Sequence, residues 1–105
     1  MGDWKKICTL EEIPRRGARV VRHGGVDIAV FRTGADEVFA LHDQCPHKGG
    51  PLSQGIVSGR SVTCPLHGWN IGLGDGKAAP PDEGCVPCLA VKVDAGAVYL
   101  QVEKS

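Results

Sequence analysis

Cys45-Pro46-His47 and Cys64-Pro65-Leu66-His67 are the segments that decide the fold of this chain. They form the pattern C-x-H, followed by sixteen residues and then C-x2-H. Each segment offers one thiolate and one imidazole, so a metal bound between the segments would have a sulfur side and a nitrogen side. The sequence therefore predicts a metal centre with mixed ligands, held by both thiols and both imidazoles.

Other uses of these four side chains fit the pattern less well. Zinc-finger spacings usually place two Cys together and two His together, whereas here each pair is mixed. A disulfide between Cys45 and Cys64 would leave His47 and His67 without a shared purpose, and nothing in the chain suggests an oxidising compartment. A Cys–His hydrolase needs one nucleophile and one base, not a duplicated pair. A [2Fe–2S] cluster with two histidines in place of two cysteines on one iron fits best, with zinc as the remaining alternative.

The length and composition indicate one ordinary globular domain, residues 1–105. Hydrophobic residues make up 42% of the chain and charged residues 23%. The 12 basic and 12 acidic side chains cancel, which argues against nucleic acid or an anionic membrane as the partner. No apolar stretch is long enough to span a bilayer, and no export signal is visible. We expect a cytoplasmic protein.

Short β-branched or alternating runs separated by turn residues dominate the chain. Gly24-Gly25 supplies the positive φ angles of a tight hairpin turn, and Thr33–Asp36 forms the next turn. Leu10–Ile13 has room for one helical turn before Pro14. The chain is predicted to be all-β, a set of small antiparallel sheets with two cluster-binding hairpin loops. The predicted strands are Val20–His23, Val26–Phe31, Glu37–Leu41, Val62–Thr63, Leu89–Val93 and Ala97–Val102.

The remaining cysteines and histidines have weaker claims to a metal. Cys85-Val86-Pro87-Cys88 has metal-ligand spacing, but no second pair is left to complete a zinc site. We expect Cys8, Cys85 and Cys88 to be core or loop thiols. His23 and His42 are expected at the surface or at strand ends, with no metal role.

The ligand pattern resembles that of Rieske [2Fe–2S] proteins. The flanking segments Lys48–Leu52 and Asp82–Cys85 make the chain similar to one family among them, the small subunits of assimilatory NAD(P)H-dependent nitrite reductase. The resemblance implies that Cys45 and Cys64 ligate the inner iron of the cluster.

By the same resemblance, His47 and His67 ligate the outer iron. Respiratory Rieske proteins of high potential carry an extra disulfide and a serine hydroxyl near the cluster. The positions of the two disulfide cysteines hold Gly50 and Leu66 here, and the position of the serine holds Trp69. Fewer donors to the sulfurs imply a low reduction potential, near about −150 mV.

The resemblance also implies a partner. In nitrate assimilation, a large subunit with flavin, an iron–sulfur cluster and siroheme uses NAD(P)H electrons to reduce nitrite to ammonium. This chain would pass single electrons or complete the holoenzyme, with no catalytic activity of its own. One alternative is a Rieske ferredoxin that delivers electrons to an aromatic-ring-hydroxylating dioxygenase. Another is a zinc-bound or metal-free interaction module.

Overall fold

The computed structural model describes residues 3–23, 25–44, 51–65, 68–78, 84–86 and 88–102. These residues form ten β-strands and two short 3₁₀ turns, Leu10–Glu12 and Leu52–Gln54. None of the described segments is a helix long and apolar enough to cross a membrane. The strands are β1 (Asp3–Thr9), β2 (Gly17–His23), β3 (Val26–Arg32), β4 (Val38–His42), β5 (Ile56–Ser58), β6 (Ser61–Thr63), β7 (Asn70–Gly72), β8 (Cys88–Leu89), β9 (Val91–Asp94) and β10 (Ala97–Val102).

The strands form three antiparallel sheets, which confirms the all-β prediction. The terminal sheet has the order β1-β10-β9, the central sheet β2-β3-β4-β8, and the ligand sheet β5-β6-β7. The hairpin predicted around Gly24-Gly25 is the β2–β3 pair, with Val21 opposite Ile28. The predicted single helical turn is the 3₁₀ turn Leu10–Glu12.

The structure differs from the expectation in two ways: three of its strands, β1, β5 and β7, were not predicted, and one predicted strand is divided in two. β1 was not predicted, because its first four residues, Asp-Trp-Lys-Lys, include no β-branched side chain and no alternating run, yet the strand pairs with β10 from the other end of the chain. Leu89 was predicted in the same strand as Val93, but it lies in β8 and pairs with Ala40 of β4. In both cases a distant partner strand determines the structure rather than the local sequence.

The two middle strands of the central sheet, β3 and β4, have buried residues on both faces, so they divide their side chains between two cores. Successive residues of a strand point to opposite faces. Ala29 and Phe31 of β3 therefore pack against the ligand sheet. Ile28 and Val30 pack against the terminal sheet, where the buried Cys8 also lies. The position of Cys8 confirms it as a core thiol.

Candidate metal centre

Cys64 is the predicted ligand that lies within the described residues. Cys45, His47 and His67 lie outside them, as do most of the flanking segments that carried the family likeness. The site is therefore built from Cys64 and from the residues at both ends of each ligand segment.

A tight turn between β6 and β7 holds Cys64. Its side chain is buried, with 1% of its surface exposed. The Cys64 N–H donates to the carbonyl of Trp69 (2.7 Å), and the Gly68 N–H donates to the carbonyl of Cys64 (3.0 Å). Gly68 has a φ of +69°, which glycine adopts without strain. These contacts fix a thiol at the base of a short, closed loop.

A carboxylate closes the other ligand segment. Asp43 follows the end of β4, and Ser53 lies in the 3₁₀ turn that precedes β5. The Ser53 N–H donates to Asp43 Oδ1 (2.7 Å), and the Ser53 hydroxyl donates to Asp43 Oδ2 (2.8 Å). Both oxygens of one carboxylate thus join the two ends of the connection that carries Cys45 and His47. We call this contact the Asp43–Ser53 clamp.

The ends of both ligand segments share one hydrophobic core. Leu41 lies at the end of β4, and Leu52 follows the first segment; both are fully buried. They belong to the same buried cluster as Cys64. The core therefore holds the chain on either side of the first ligand segment against the start of the second.

Gly55 marks a close approach between the chain that follows the first ligand segment and the strand that leads into the second. A Cβ atom on Gly55 would overlap the carbonyl oxygen of Thr63 and would lie 2.9 Å from Cγ2 of Val62. Real Cβ atoms do not approach other atoms so closely, so the chain after the first ligand segment can touch β6 here only through glycine. Thr63 directly precedes Cys64, which ties this contact to the ligand.

The chemistry of the donor set fits an iron–sulfur cluster. The cysteines that the structure describes, Cys8, Cys64, Cys85 and Cys88, are all free thiols. Burying a thiolate without a partner is costly, and coordination to iron supplies the missing partner. A buried sulfur at the base of one loop, joined by two imidazoles and a second thiol in the sequence, gives the mixed ligand set predicted above.

The other candidate residues take no part in the site as described. Cys85 is exposed, and Cys88 is exposed as a residue although its thiol is partly buried. The Cys88 Sγ lies 3.6 Å from the carbonyl oxygen of Val86, and partial burial, followed by the nearby Asp75 carboxylate, raises the pKa of the Cys88 thiol. His42 ends β4, as expected. Within the described part of the chain, no three Cys, His, Asp or Glu side chains form a metal site, since three of the predicted ligands lie elsewhere.

The family of the chain follows from comparison with known proteins. Residues 3–90 match the Rieske [2Fe-2S] domain family. The chain belongs to the Rieske family. Its cofactor is a Rieske-type [2Fe–2S] cluster. Like other members of the family, it is an electron carrier of the oxidoreductase type that works with redox partners.

Within the Rieske family, this protein is similar to relatives of different kinds. It is 34% identical over 103 residues to Ferredoxin CarAc of Metapseudomonas resinovorans, covering 96% of this chain and 95% of the ferredoxin. The NMR structure of the E. coli protein NirD aligns with a TM-score of 0.85 and 26% identity, covering 99% of this chain and 100% of NirD. The 4beta-methylsterol monooxygenase of Methylococcus capsulatus is 40% identical over 83 residues, which are 79% of this chain but 19% of the monooxygenase. This chain therefore matches about a fifth of that larger relative.

Proposed function

We propose that this Rieske protein is a ferredoxin that delivers single electrons to an oxygenase of the ring-hydroxylating type. The likeness to Ferredoxin CarAc carries the proposal, because it extends over almost the full length of both proteins at 34% identity. The structural alignment with NirD, which covers a similar share of both chains, gives a lower identity of 26%. At equal coverage, the closer sequence favours the ferredoxin function.

The surface around the ligand segments suits a brief encounter with a partner. Ile56 begins β5 with 72% of its surface exposed, and Pro51 and Pro65 beside the ligand segments are exposed as well. Electron-transfer complexes bury small interfaces. A few exposed apolar side chains at the rim of the centre are sufficient for such an interface.

The chain contributes a fixed frame for the redox centre. The bound cluster supplies a site that accepts and releases one electron. The turn at Cys64 and the Asp43–Ser53 clamp hold the backbone on both sides of that site. We expect Cys45 and Cys64 on the inner iron, and His47 and His67 on the outer iron.

A nitrite reductase small subunit is the second candidate. The observation that favours it is the alignment with NirD, a nitrite reductase small subunit, which covers almost the whole of both chains at a TM-score of 0.85. The segments Lys48–Leu52 and Asp82–Cys85 point the same way. In that role the protein would serve a large subunit with flavin, an iron–sulfur cluster and siroheme.

Anaerobic purification of the tagged protein from its native cells separates the two candidates. The ferredoxin function predicts co-purification of an oxygenase with mononuclear iron, or of a flavin-dependent reductase. Siroheme and flavin bands together with nitrite-dependent NAD(P)H oxidation would overturn it in favour of the second candidate. A colourless protein that contains zinc would contradict both.

A further inference from the structure

A groove of about 340 Å³ lies at the opposite end of the strands from the metal centre. The ligand segments follow the last residues of β4 and β6. The groove is formed at the other end of these two strands. Its walls are the turn Thr33–Glu37 before β4, the turn Gly59-Arg60 before β6, and Arg16 before β2. It is therefore separate from the redox site.

The groove carries an excess of positive charge. Glu37 neutralises Arg60 through two contacts, Nε to Oε1 at 2.9 Å and Nη2 to Oε2 at 2.7 Å. Asp36, on the same turn as Glu37, is shared by Arg15 and Arg32. Within the described part of the chain, the guanidinium of Arg16 has neither a carboxylate partner nor a hydrogen-bond acceptor.

Local structure holds Arg16 in position. Its φ is +58°, in the left-handed region that residues other than glycine seldom adopt. The turn is closed by the Gly17 N–H, which donates to the carbonyl of Pro14 (2.9 Å). A Cβ on Gly34 would lie 2.8 Å from Arg16 Nε, so a side chain at position 34 would displace the guanidinium from where it now lies.

The facing turn is equally well ordered. Thr33 is buried, with 2% of its surface exposed. Its hydroxyl oxygen accepts the N–H groups of Ala35 (3.3 Å) and Glu37 (3.1 Å). The wall opposite Arg16 is thus fixed by hydrogen bonds within the turn.

We propose that this groove binds a small free oxyanion, with a phosphate or carboxylate group seated on Arg16. The planar guanidinium offers paired N–H donors that match such a group. A volume of about 340 Å³ lies at the lower end of the range for small-molecule sites. The ligand is therefore a small anion rather than a nucleic acid or a protein segment.

The test is a titration of the ¹⁵N-labelled holoprotein with inorganic phosphate, and separately with acetate, at constant ionic strength. We expect saturable amide shifts confined to Gly34, Gly59 and their neighbours. Saturation by phosphate alone assigns a phosphate ligand, and saturation by both assigns the broader oxyanion class. Arg16→Gln should weaken binding about tenfold, the effect of losing one charged hydrogen-bonding partner.

Arg22→Gln is the matched control, because Arg22 is an exposed arginine that pairs with Asp27 on the β2–β3 hairpin. It should leave the affinity unchanged. Gly34→Ala is the second variant: its new Cβ displaces the Arg16 guanidinium, so it should also weaken binding. Shifts that do not saturate, or equal affinity in Arg16→Gln and the wild type, would overturn the proposal. Neither result bears on the electron-transfer function, since the visible spectrum of the cluster is a separate readout.

Discussion

Replacing Asp43 with alanine should loosen the metal centre without touching a ligand. Asp43 contacts Ser53 through both carboxylate oxygens, at 2.7 and 2.8 Å. The connection between these residues carries Cys45 and His47. Once the clamp is removed, the ends of the first ligand segment are still held by Leu41 and Leu52 in the core and by backbone hydrogen bonds, but no side chain joins one end to the other through a hydrogen bond among the described residues.

The size of the effect follows from the two hydrogen bonds. A hydrogen bond to a charged group contributes about 1.5–3 kcal/mol, and the lower value applies because Asp43 is partly exposed. Asp43→Ala should therefore lower the free energy of unfolding by about 3 kcal/mol. Ser53→Ala removes the hydroxyl contact but keeps the backbone one, and should cost about 1.5 kcal/mol.

The assay is urea unfolding of the holoproteins, followed in parallel by far-UV circular dichroism and by the visible absorbance of the cluster. In Asp43→Ala, the cluster absorbance should disappear at a lower urea concentration than the β-sheet signal, because the clamp acts on a ligand segment. Asp27→Asn is the control. Its exposed carboxylate pairs with Arg22 at 3.5 Å, and such surface pairs contribute about 1 kcal/mol at most.

A specific outcome would refute this reasoning. If Asp43→Ala released iron at the same urea concentration as the wild type and as Asp27→Asn, the clamp would have no role in holding the centre. A loss of stability with the two signals still coincident would make the clamp a general structural contact.

Four further predictions test the ligands and the fold around them. His67→Ala should abolish the Rieske-type electron paramagnetic resonance spectrum and keep the β-sheet signal; an unchanged spectrum would refute the ligand assignment. Protein-film voltammetry should give a potential near about −150 mV, and a value well above zero would contradict it. Gly55→Ala should cost about 1–3 kcal/mol in urea unfolding, since its Cβ meets Thr63, whereas Gly74→Ala, whose Cβ would make only an ordinary contact with Phe39 Cε1 at 4.0 Å, should cost less than about 0.5 kcal/mol. The hydrogen bond that Arg32 donates to the Asp36 carboxylate is the main reason why the pKa of Asp36 lies below its usual 3.8. Stability from this carboxylate is therefore present above that pH and lost as pH falls through the lower folded value, so Asp36→Asn should flatten the acid side of the melting-temperature profile.

The parts of the fold that sequence could predict are those with local causes. The β2–β3 hairpin follows from a glycine pair between β-branched runs, and the turn Leu10–Glu12 from its position before Pro14. β1 has no such local cause. Its residues become a strand because β10, from the other end of the chain, offers them a free edge.

The candidate metal centre likewise has features that the sequence predicts and one contact that it does not. Donor types and their spacing predict the four ligands directly from sequence, and Cys64 lies buried at the base of a loop as such a ligand requires. The Asp43–Ser53 clamp joins residues ten positions apart across a connection, and no spacing rule links them. An acidic residue just before a ligand segment and a serine just after it are the features that could have suggested the contact, because both side chains readily bond to nearby backbone.

The pairing of β1 with β10 sets Asp3 opposite Val102. Cα atoms of such partners are about 5 Å apart, so the polypeptide enters and leaves the domain at one point. A unit with adjoining ends can be inserted into a surface loop of a host protein, since a short linker on each side leaves both folds intact. The match to 19% of a sterol monooxygenase shows a related unit within a longer polypeptide. The same geometry makes this chain a candidate for circular permutation, with its present ends joined by a few residues and new ones opened at an exposed turn.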